Sequence, residues 1–400
     1  MQLRESHQKR RKGRVVAATL VGAASLLMLV PATGAAADKG RENGPVSTYA
    51  VYGDSPYGAD HAQYNATPAF IAGINADPQV GGVLHIGDLH SGSETCTQAY
   101  DQGIADMWKA SDDAVYYTPG DNEWADCQKA KQNPQALDAY QNGDPIANLA
   151  LVRQLFFPRV GVTLGQHKKL VLSQAFAYDR RFPTDKQYVE NTIWARSGVV
   201  FVTVNVPGGS NNDHDIWNSF TTGTTTETPA QHDEYTNRTA ADLRWLDTAF
   251  SIAKLAHAKG VLIGTQADMW DTEKNNPAIL SNYKPIVDKI ADRTRDFGGS
   301  VLLINGDTHV YRSDSPLLNN APCATEVTST ACATDHDAYD LQPGAYDLGT
   351  ARFHRLVVHG STSPMEWLKL TVDPSQNAPE SSNAVGPFSW TRVQTQLPPA

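Results

Sequence analysis

"VLLINGDTHVYR", residues 301–312, joins an apolar run to a glycine, an acid and a histidine. A short apolar run bounded by turn residues is typical of a buried strand. Gly306 permits a sharp turn after that strand, and Asp307 and His309 then follow two positions apart. The stretch therefore predicts a core strand whose carboxyl end carries polar side chains capable of chemistry.

The same pattern occurs at three further places in the chain. Apolar runs end in Gly-Asp at Asp54 in "TYAVYGD", at Asp88 in "GGVLHIGD" and at Asp121 in "AVYYTPGD". Because helical patterns lie between these runs, strands alternate with helices, which indicates an α/β fold. In such folds the ligand site lies beyond the carboxyl ends of the strands, and there we expect the aspartates to gather.

The periodicity of the remaining sequence predicts the other elements. Helices are predicted at 67–76, 97–109, 145–156, 239–260 and 282–296, and further strands at 192–196, 199–206, 261–265, 353–358 and 367–372. Segments 209–233 and 313–348 are polar and are predicted to be long surface loops.

The N-terminus has the composition of an export signal. Six Lys or Arg residues lie within residues 4–14, and an almost wholly apolar run follows at 15–30. That run is shorter than a membrane span of about 20 residues, so we expect a signal peptide at 1–37 rather than a retained anchor. The protein is then expected to be secreted or periplasmic, and Arg10 with Arg11 leaves twin-arginine export open.

Cleavage would change the formal net charge from −10 to −15, because residues 1–37 contain six basic residues and one acid. A chain this acidic is a poor partner for nucleic acid or for an anionic membrane surface, so we expect neither. We expect a monomer with one domain at 47–372. A flexible segment at 38–46 precedes it, and a poorly ordered tail at 373–400, rich in Pro, Ser and Asn, follows it.

Four cysteines in an exported chain indicate disulfide bonds. Four cysteines allow three pairings, and proximity along the chain favours Cys96 with Cys127 and Cys323 with Cys332. Neither pair has the spacing of a zinc finger.

A single Gly-Asp after a strand is most simply a turn, because Gly permits positive φ and Asp caps its own backbone. Four such acids at one edge of a sheet favour a different interpretation. Clustered carboxylates repel one another unless something positive lies among them, and in an acidic protein a divalent metal ion is the simplest candidate.

In order and spacing, these motifs resemble those of the calcineurin-like metallophosphoesterases, which include the purple acid phosphatases. The series here is "GDSPYG", "GDLHSG", "PGDNEW", "GTQADMW" and "GDTHVYR", and "LRWL" ahead of "VLIGT" is similar to the helix before the family's fourth motif. The resemblance spans about residues 47–372. It implies a four-layer α/β/β/α sandwich of the metallophosphoesterase type, with mixed sheets flanked by helices.

Position by position, the resemblance implies a set of metal ligands. Asp54 resembles the first-metal carboxylate, Asp88 the aspartate that bridges two metals, and Asp121 takes the place of an asparagine ligand. The complete predicted set is Asp54, Asp88, Asp121, Gln266, Asp307 and His309.

Departures from the family pattern make this set rich in oxygen. His309 matches the final histidine ligand, whereas Asp307 and Gln266 each stand where the family has a histidine. Pro56 replaces the histidine of the first motif, and Tyr57 beside it would supply a phenolate or merely pack. Oxygen ligands favour Mn²⁺, Mg²⁺ or Ca²⁺, with Fe or Zn as alternatives, and one ion is as plausible as two.

The proton donor of the family is also replaced. Asn122 occupies the position of the histidine that assists the leaving group, and an amide cannot transfer a proton. His90, two residues after Asp88, is the first candidate donor, His214 is the second and Glu123 is the third. The catalytic residues implied are therefore His90, Asn122 and His214.

The resemblance implies an exported, metal-dependent phosphoesterase that hydrolyses phosphate mono- or diesters through metal-activated water. The alternative is a secreted metal- or phosphate-binding protein of the same fold that has lost hydrolysis. The partner expected is a small phosphorylated substrate, and its contacts would come from Asn122, Asn211, Asn212 and Arg312.

Overall fold

The computed structural model describes residues 45–57, 62–132, 138–213, 216–217, 223–271, 280–318, 322–326, 346, 348–349, 352–362 and 364–395. The α-helices are α1 Ala62–Asn75, α2 Gln98–Trp108, α3 Pro145–Phe156, α4 Gln174–Ala177, α5 Pro229–Leu255 and α6 Lys284–Phe297. Short 3₁₀ segments lie at Ala125–Gln132, Tyr140–Gly143, Pro183–Gln187 and Ser281–Tyr283, and a single turn lies at Gly208–Asn212.

The strands form two sheets. They are β1 Ser47–Tyr52, β2 Val80–His85, β3 Val115–Tyr117, β4 Leu172–Ser173, β5 Thr192–Arg196, β6 Val199–Thr203, β7 Gly260–Gly264, β8 Ser300–Asn305, β9 Arg312–Asp314, β10 Ala324–Thr325, β11 Arg352–Val357, β12 Glu366–Val372, β13 Ala378–Ser381, β14 Ala384–Gly386 and β15 Phe388–Gln394. One sheet has the order β13-β14-β15-β12-β1-β2-β3, and the other has the order β10-β9-β11-β8-β7-β6-β5-β4.

Both sheets are mixed, with a parallel centre. Strands β1, β2 and β3 run parallel, and so do β6, β7, β8 and β11. Antiparallel strands extend each sheet outward, for example β12 beside β1 and β5 beside β6. Five of these parallel strands, β1, β2, β3, β7 and β8, end in the motifs identified above, and their carboxyl ends lie at a common edge.

Alternate residues of the strands pack on opposite faces. Leu302 and Ile304 of β8 join a core shared by the two sheets, whereas Val301 and Leu303 pack under α5 and α6. In the same way, β1 contributes Val51 to the core between the sheets, and its other face packs against α1 and α2. The structure therefore confirms the predicted α/β fold with four layers, helix on sheet on sheet on helix.

Side-chain caps fix several of the helix ends. The Thr97 hydroxyl accepts a hydrogen bond from Tyr100 N–H at the start of α2, and the Asp144 carboxylate accepts one from Ala147 N–H at the start of α3. These contacts satisfy donors that have no partner inside the helix. Helix α6 ends at Gly298, whose φ of 77° is left-handed.

Helix α5 begins earlier than predicted. It starts at Pro229, where the Thr228 hydroxyl accepts from Gln231 N–H, so residues 229–233 are helical and not part of a loop. The first turns of α5 are mostly polar, which is why an apolar repeat did not indicate them. The predicted loop at 209–233 is wrong in a second respect, because Asn211 and Asn212 are buried.

The prediction of a poorly ordered tail at 373–400 is wrong for residues 378–394, because these residues form β13, β14 and β15. Strand β15 pairs along β12, with Phe388 opposite Val372 and Trp390 opposite Leu370. Phe388 and Trp390 are buried between the two sheets. Burial of these two aromatic side chains stabilises the segment as strands, although its Pro, Ser and Asn content suggested disorder.

The predicted disulfide between Cys96 and Cys127 is confirmed. Cys323 is also in a disulfide, but its predicted partner Cys332 lies outside the described residues, as do the export signal at 1–37 and residues 38–44. No helix among the described residues is long and apolar enough to cross a membrane.

Replacing Trp390 by alanine should destabilise the protein by about 3–5 kcal/mol, because it opens a cavity between the two sheets. Urea denaturation followed by fluorescence or circular dichroism measures the loss. The exposed neighbour Thr391 provides a control, and Thr391→Ala should change the stability by less than about 0.5 kcal/mol. Equal, small effects of both substitutions would contradict the packing of β15 described here.

Candidate metal centre

The carboxyl ends of strands from both sheets meet at one edge of the sandwich. Asp54 follows β1, Asp88 follows β2, and Asp307 follows β8. Hydrogen bonds join these loops directly, because Asp307 N–H donates to Asp54 Oδ1 at 2.9 Å and Asp54 N–H donates to the carbonyl of Gly87. The motifs of the sequence therefore form one cluster.

Glycines of the Gly-Asp motifs make the close approach of these loops sterically feasible. A Cβ at Gly306 would lie 2.0 Å from Asp54 Oδ2, and a Cβ at Gly120 would lie 1.9 Å from Asp88 Oδ1. Each glycine thus leaves space for the carboxylate of a different motif. This interlocking explains why glycine precedes the acid after several strands.

Asp54, Asp88 and His309 form the group best placed to hold a metal ion. One ligand atom from each lies within 4.8 Å of the others. Both carboxylates are buried, the His309 side chain is 34% exposed, and its Nε2 lies 3.6 Å from Asp54 Oδ1. The backbone is left-handed at all three positions, with φ of 48°, 60° and 64°, a conformation that non-glycine residues adopt uncommonly.

One buried oxygen of this group lacks a hydrogen bond. Asp54 Oδ1 accepts from Asp307 N–H, whereas no N–H or O–H of the described residues donates to Asp54 Oδ2. A buried carboxylate oxygen without a donor is costly, and a bound cation would remove that cost. The donor set, two carboxylates and one imidazole, therefore fits a divalent metal ion.

The pKa shifts of the acids also favour a bound cation at this site. Burial raises the pKa of Asp54 well above its ordinary value, and the negative charge of Asp307 adds to the increase. Burial also raises the pKa of Asp88, and the charge of Asp121 raises it further. These acids favour their neutral forms unless a positive charge lies among them.

Three neutral donors converge on Asp88. The Tyr57 hydroxyl donates to Asp88 Oδ2 at 2.6 Å, and the Asn122 amide nitrogen donates to the same oxygen at 2.9 Å. Burial, followed by the charge of Asp88, raises the pKa of Tyr57, so this group is a neutral phenol and not a phenolate. The fixed orientation of Asp88 is thus set by side chains of two other motifs.

Gln266 supplies the third donor. Its Nε2 lies 3.0 Å from Asp88 Oδ2 and 3.3 Å from Asp121 Oδ1, while its Oε1 accepts from Gly208 N–H at 2.5 Å. The predicted ligand therefore presents its nitrogen, not its oxygen, to the acids. An amide NH₂ donates hydrogen bonds and does not bind a cation, which differs from the role predicted for Gln266.

One carboxylate oxygen of Asp307 is bound by a neighbouring loop. Its Oδ2 accepts from Asp268 N–H at 3.2 Å, and the side chain of Asp268 accepts from the Thr308 hydroxyl at 3.2 Å. Asp307 was predicted as a ligand, but among the described residues it lies outside the cluster formed by Asp54, Asp88 and His309. Its backbone N–H, bonded to Asp54, is its direct contribution to that cluster.

A buried arginine supports this loop, and neither it nor its partners were identified from the sequence. Arg355 in β11 donates to both oxygens of Asp314 at 2.8 Å and to Asp268 Oδ1. All three side chains are buried. The available signal was an arginine inside the apolar run of β11, a position that is occupied in a core only when the charge is paired.

The predicted donor His90 is buried against Tyr100, with ring centroids 5.5 Å apart. Its Nδ1 lies 3.1 Å from the Ser91 carbonyl oxygen, and burial lowers its pKa to about 4. A histidine that is neutral at physiological pH is a poor general acid, so the structure does not support the predicted role. His214, the second candidate, lies outside the described residues.

The substrate contacts predicted for Asn211 and Asn212 are not supported, because their side chains have partners within the fold. The Asn211 amide oxygen accepts from Arg238 at 2.6 Å. Asn212 donates to Glu234 at 2.9 Å and accepts from the indole N–H of Trp217 at 3.1 Å. Buried polar groups need such partners, and these amides stabilise the turn after β6.

The substrate contact predicted for Arg312 is likewise not supported. Its Nε lies 3.9 Å from Asp314 Oδ2, and its side chain is 18% exposed. Asp314 is therefore shared between Arg312 and Arg355, so Arg312 belongs to the charge network behind the site. Of the predicted substrate contacts, Asn122 alone lies beside Asp88.

Comparisons with known proteins find likenesses in structure only. No family model matches the chain, and no curated protein matches it in sequence. GAP50, the anchor in the inner membrane complex of Plasmodium, is 9% identical with a TM-score of 0.43, and the match covers 87% of this chain and 84% of that chain.

Purple acid phosphatase PPD1 from yellow lupin (Lupinus luteus) seeds is 11% identical with a TM-score of 0.37. The match covers 82% of this chain and 49% of that chain, so the present chain spans about half the length of the lupin phosphatase. At these TM-scores neither likeness carries an argument about the chemistry of this site.

Arg355→Met should destabilise the protein by about 3–5 kcal/mol, because it leaves Asp268 and Asp314 buried without their cation. Denaturant unfolding measures the effect. Arg295→Met is a matched control, since the ion pair of Arg295 with Asp292 is largely exposed and exposed pairs contribute little. A similar, small effect of both substitutions would show that Arg355 does not hold the network together.

Proposed function

We propose that this chain binds a divalent cation at Asp54, Asp88 and His309 and uses it to hydrolyse phosphate esters. The observation that carries the proposal is Asp54 Oδ2, a buried carboxylate oxygen without a donor, which lies in a group of three potential ligands. Carboxylate ligands favour Mn²⁺, Mg²⁺ or Ca²⁺ over softer metals, and the single imidazole is also compatible with Fe or Zn.

The residues of the chain position one another for this role. Asp307 N–H holds Asp54 Oδ1, which leaves Oδ2 available. Tyr57 and Asn122 hold Asp88 by hydrogen bonds to its Oδ2. A divalent cation in this site would supply charge stabilisation for a phosphate group and would lower the pKa of water.

Proton supply limits the substrates on which activity is expected. Asn122 cannot transfer a proton, and His90 is neutral because burial lowers its pKa to about 4. Glu123, the third candidate, is buried, and its Oε1 accepts from the Tyr117 hydroxyl and the Gly120 N–H. None of these described candidates is therefore placed to protonate an alkoxide leaving group. We therefore propose that the substrates are small phosphate mono- or diesters whose leaving groups depart without general-acid help.

The second candidate function is a metal- or phosphate-binding protein without turnover. The amide of Asn122 beside Asp88, where the resembled family has a histidine, favours this function. The two functions share the same metal site, so they are separated by measuring binding and hydrolysis on the same samples.

We also propose that the protein acts outside the cytoplasm as a monomer. The disulfide Cys96–Cys127 supports an oxidising compartment, because such bonds are rare in the cytosol. The basic stretch at 4–14 and the apolar stretch at 15–30 support export, because they have the composition of a signal peptide.

Asp54→Asn tests the proposed function. This substitution keeps an oxygen for the Asp307 N–H but removes the negative charge of the unpaired oxygen. We expect wild-type protein to bind metal and the variant to lose it, as measured by elemental analysis after loading with Mn²⁺, Mg²⁺, Ca²⁺ or Zn²⁺. Hydrolysis of p-nitrophenyl and bis-p-nitrophenyl phosphate should fall in step with the metal.

Asp106→Asn is the control, because Asp106 is exposed on α2 and, among the described residues, pairs with Gln102 and Lys109 of that helix and its end. This variant should keep both metal and hydrolysis. Bound metal without turnover in wild type would establish the binding-protein alternative. Absence of metal from wild type under every loading condition would contradict the proposed site.

A further inference from the structure

A side-chain amide lies between the two acids that would hold a second cation. Gln266 Nε2 is 3.0 Å from Asp88 Oδ2 and 3.3 Å from Asp121 Oδ1. All three side chains are buried. A cation that bridged these two carboxylates would therefore compete for the space that the amide nitrogen fills.

The orientation of this amide is fixed at both of its ends. The backbone N–H of Gly208 can only donate, and it lies 2.5 Å from Gln266 Oε1. Carboxylates accept, and two of them face Nε2. Reversal of the amide would place its NH₂ against an N–H and its oxygen against two acids, so both sets of contacts would become unfavourable.

Side-chain hydrogen-bond donors occupy one of the two oxygens of Asp88, which leaves Oδ1 as its oxygen for the proposed cation. Its Oδ2 accepts hydrogen bonds from Tyr57 at 2.6 Å, Asn122 at 2.9 Å and Gln266 at 3.0 Å. An ionised carboxylate has about four lone-pair sites on its two oxygens, so three donors saturate this one oxygen. Asp88 is therefore poorly placed to bridge two cations.

We infer that the chain binds one divalent cation rather than two, and that the Gln266 amide occupies the second position by donating hydrogen bonds to Asp88 and Asp121. This inference rests on the proposed function, because it specifies how many cations the same site holds. These two hydrogen bonds give the buried oxygens of Asp88 and Asp121 a donor in place of a cation.

A single cation has a chemical consequence. Two-metal sites stabilise both the attacking and the leaving oxygen of a phosphoryl transfer, whereas one ion provides only part of that stabilisation. The site is then restricted to esters with good leaving groups, in agreement with the absence of a proton donor at Asn122.

The number of bound ions in wild type and in Gln266→His tests the inference. Chelated protein is loaded with Mn²⁺, the metal is counted by mass spectrometry, and Mn²⁺ electron paramagnetic resonance reports whether the ions are isolated or coupled. We expect one isolated ion per chain in wild type and two coupled ions in Gln266→His, which offers an imidazole. Gln266→Met is the control, since it removes the amide without adding a ligand, and it should bind one ion.

The outcomes distinguish a failure of this inference from a failure of the proposed metal site. Two ions per wild-type chain would overturn the inference and leave the phosphoesterase proposal standing. Absence of metal from wild type would contradict the site itself, as well as the inference. One ion in wild type and in Gln266→His, with the ion at Asp54 retained, would overturn the assignment of Gln266 as the group that fills the second position.

Discussion

Compensation of buried negative charge is the constraint on which the rest of the site depends. Asp54, Asp88 and Asp121 lie at the carboxyl ends of neighbouring parallel strands, where burial makes each uncompensated charge costly. The chain meets this constraint in two ways. The first is hydrogen bonding, since neutral donors saturate Asp88 Oδ2. The second is the cation that we propose beside Asp54 Oδ2, which has no donor among the described residues.

Behind this edge, the structure uses a conventional ion pair. Arg355 lies in the core of the second sheet and pairs with Asp268 and Asp314. Asp268 then donates its backbone N–H to Asp307, whose own N–H donates to Asp54. A chain of buried contacts thus connects a fixed cation in β11 to the carboxylate at the proposed metal site, and it orients that carboxylate without neutralising it.

The sequence predicted the parts that depend on local pattern. Apolar runs ending in Gly-Asp placed the acids at one edge, and the structure gives the reason, since Gly306 lies against Asp54 Oδ2. Local pattern could not predict the direction of Gln266, because it depends on the backbone N–H of Gly208, which is distant in sequence. Likewise, the polar side chain of Asn211 suggested a surface loop, but Asn211 is buried, and a hydrogen bond from Arg238 satisfies its amide oxygen. The alternation of Phe388 and Trp390 with polar residues is typical of a strand, but the Pro, Ser and Asn content of the segment led to the wrong prediction of a poorly ordered tail.

Anomalous diffraction from crystals of the full chain grown with Mn²⁺ tests the central claim most directly, because it locates the ion relative to named atoms. We expect one anomalous peak, from an ion bound by Asp54 Oδ2, an Asp88 oxygen and a His309 ring nitrogen, with the Gln266 amide still directed at Asp88. A peak between Asp88 and Asp121, or none beside Asp54, would contradict it.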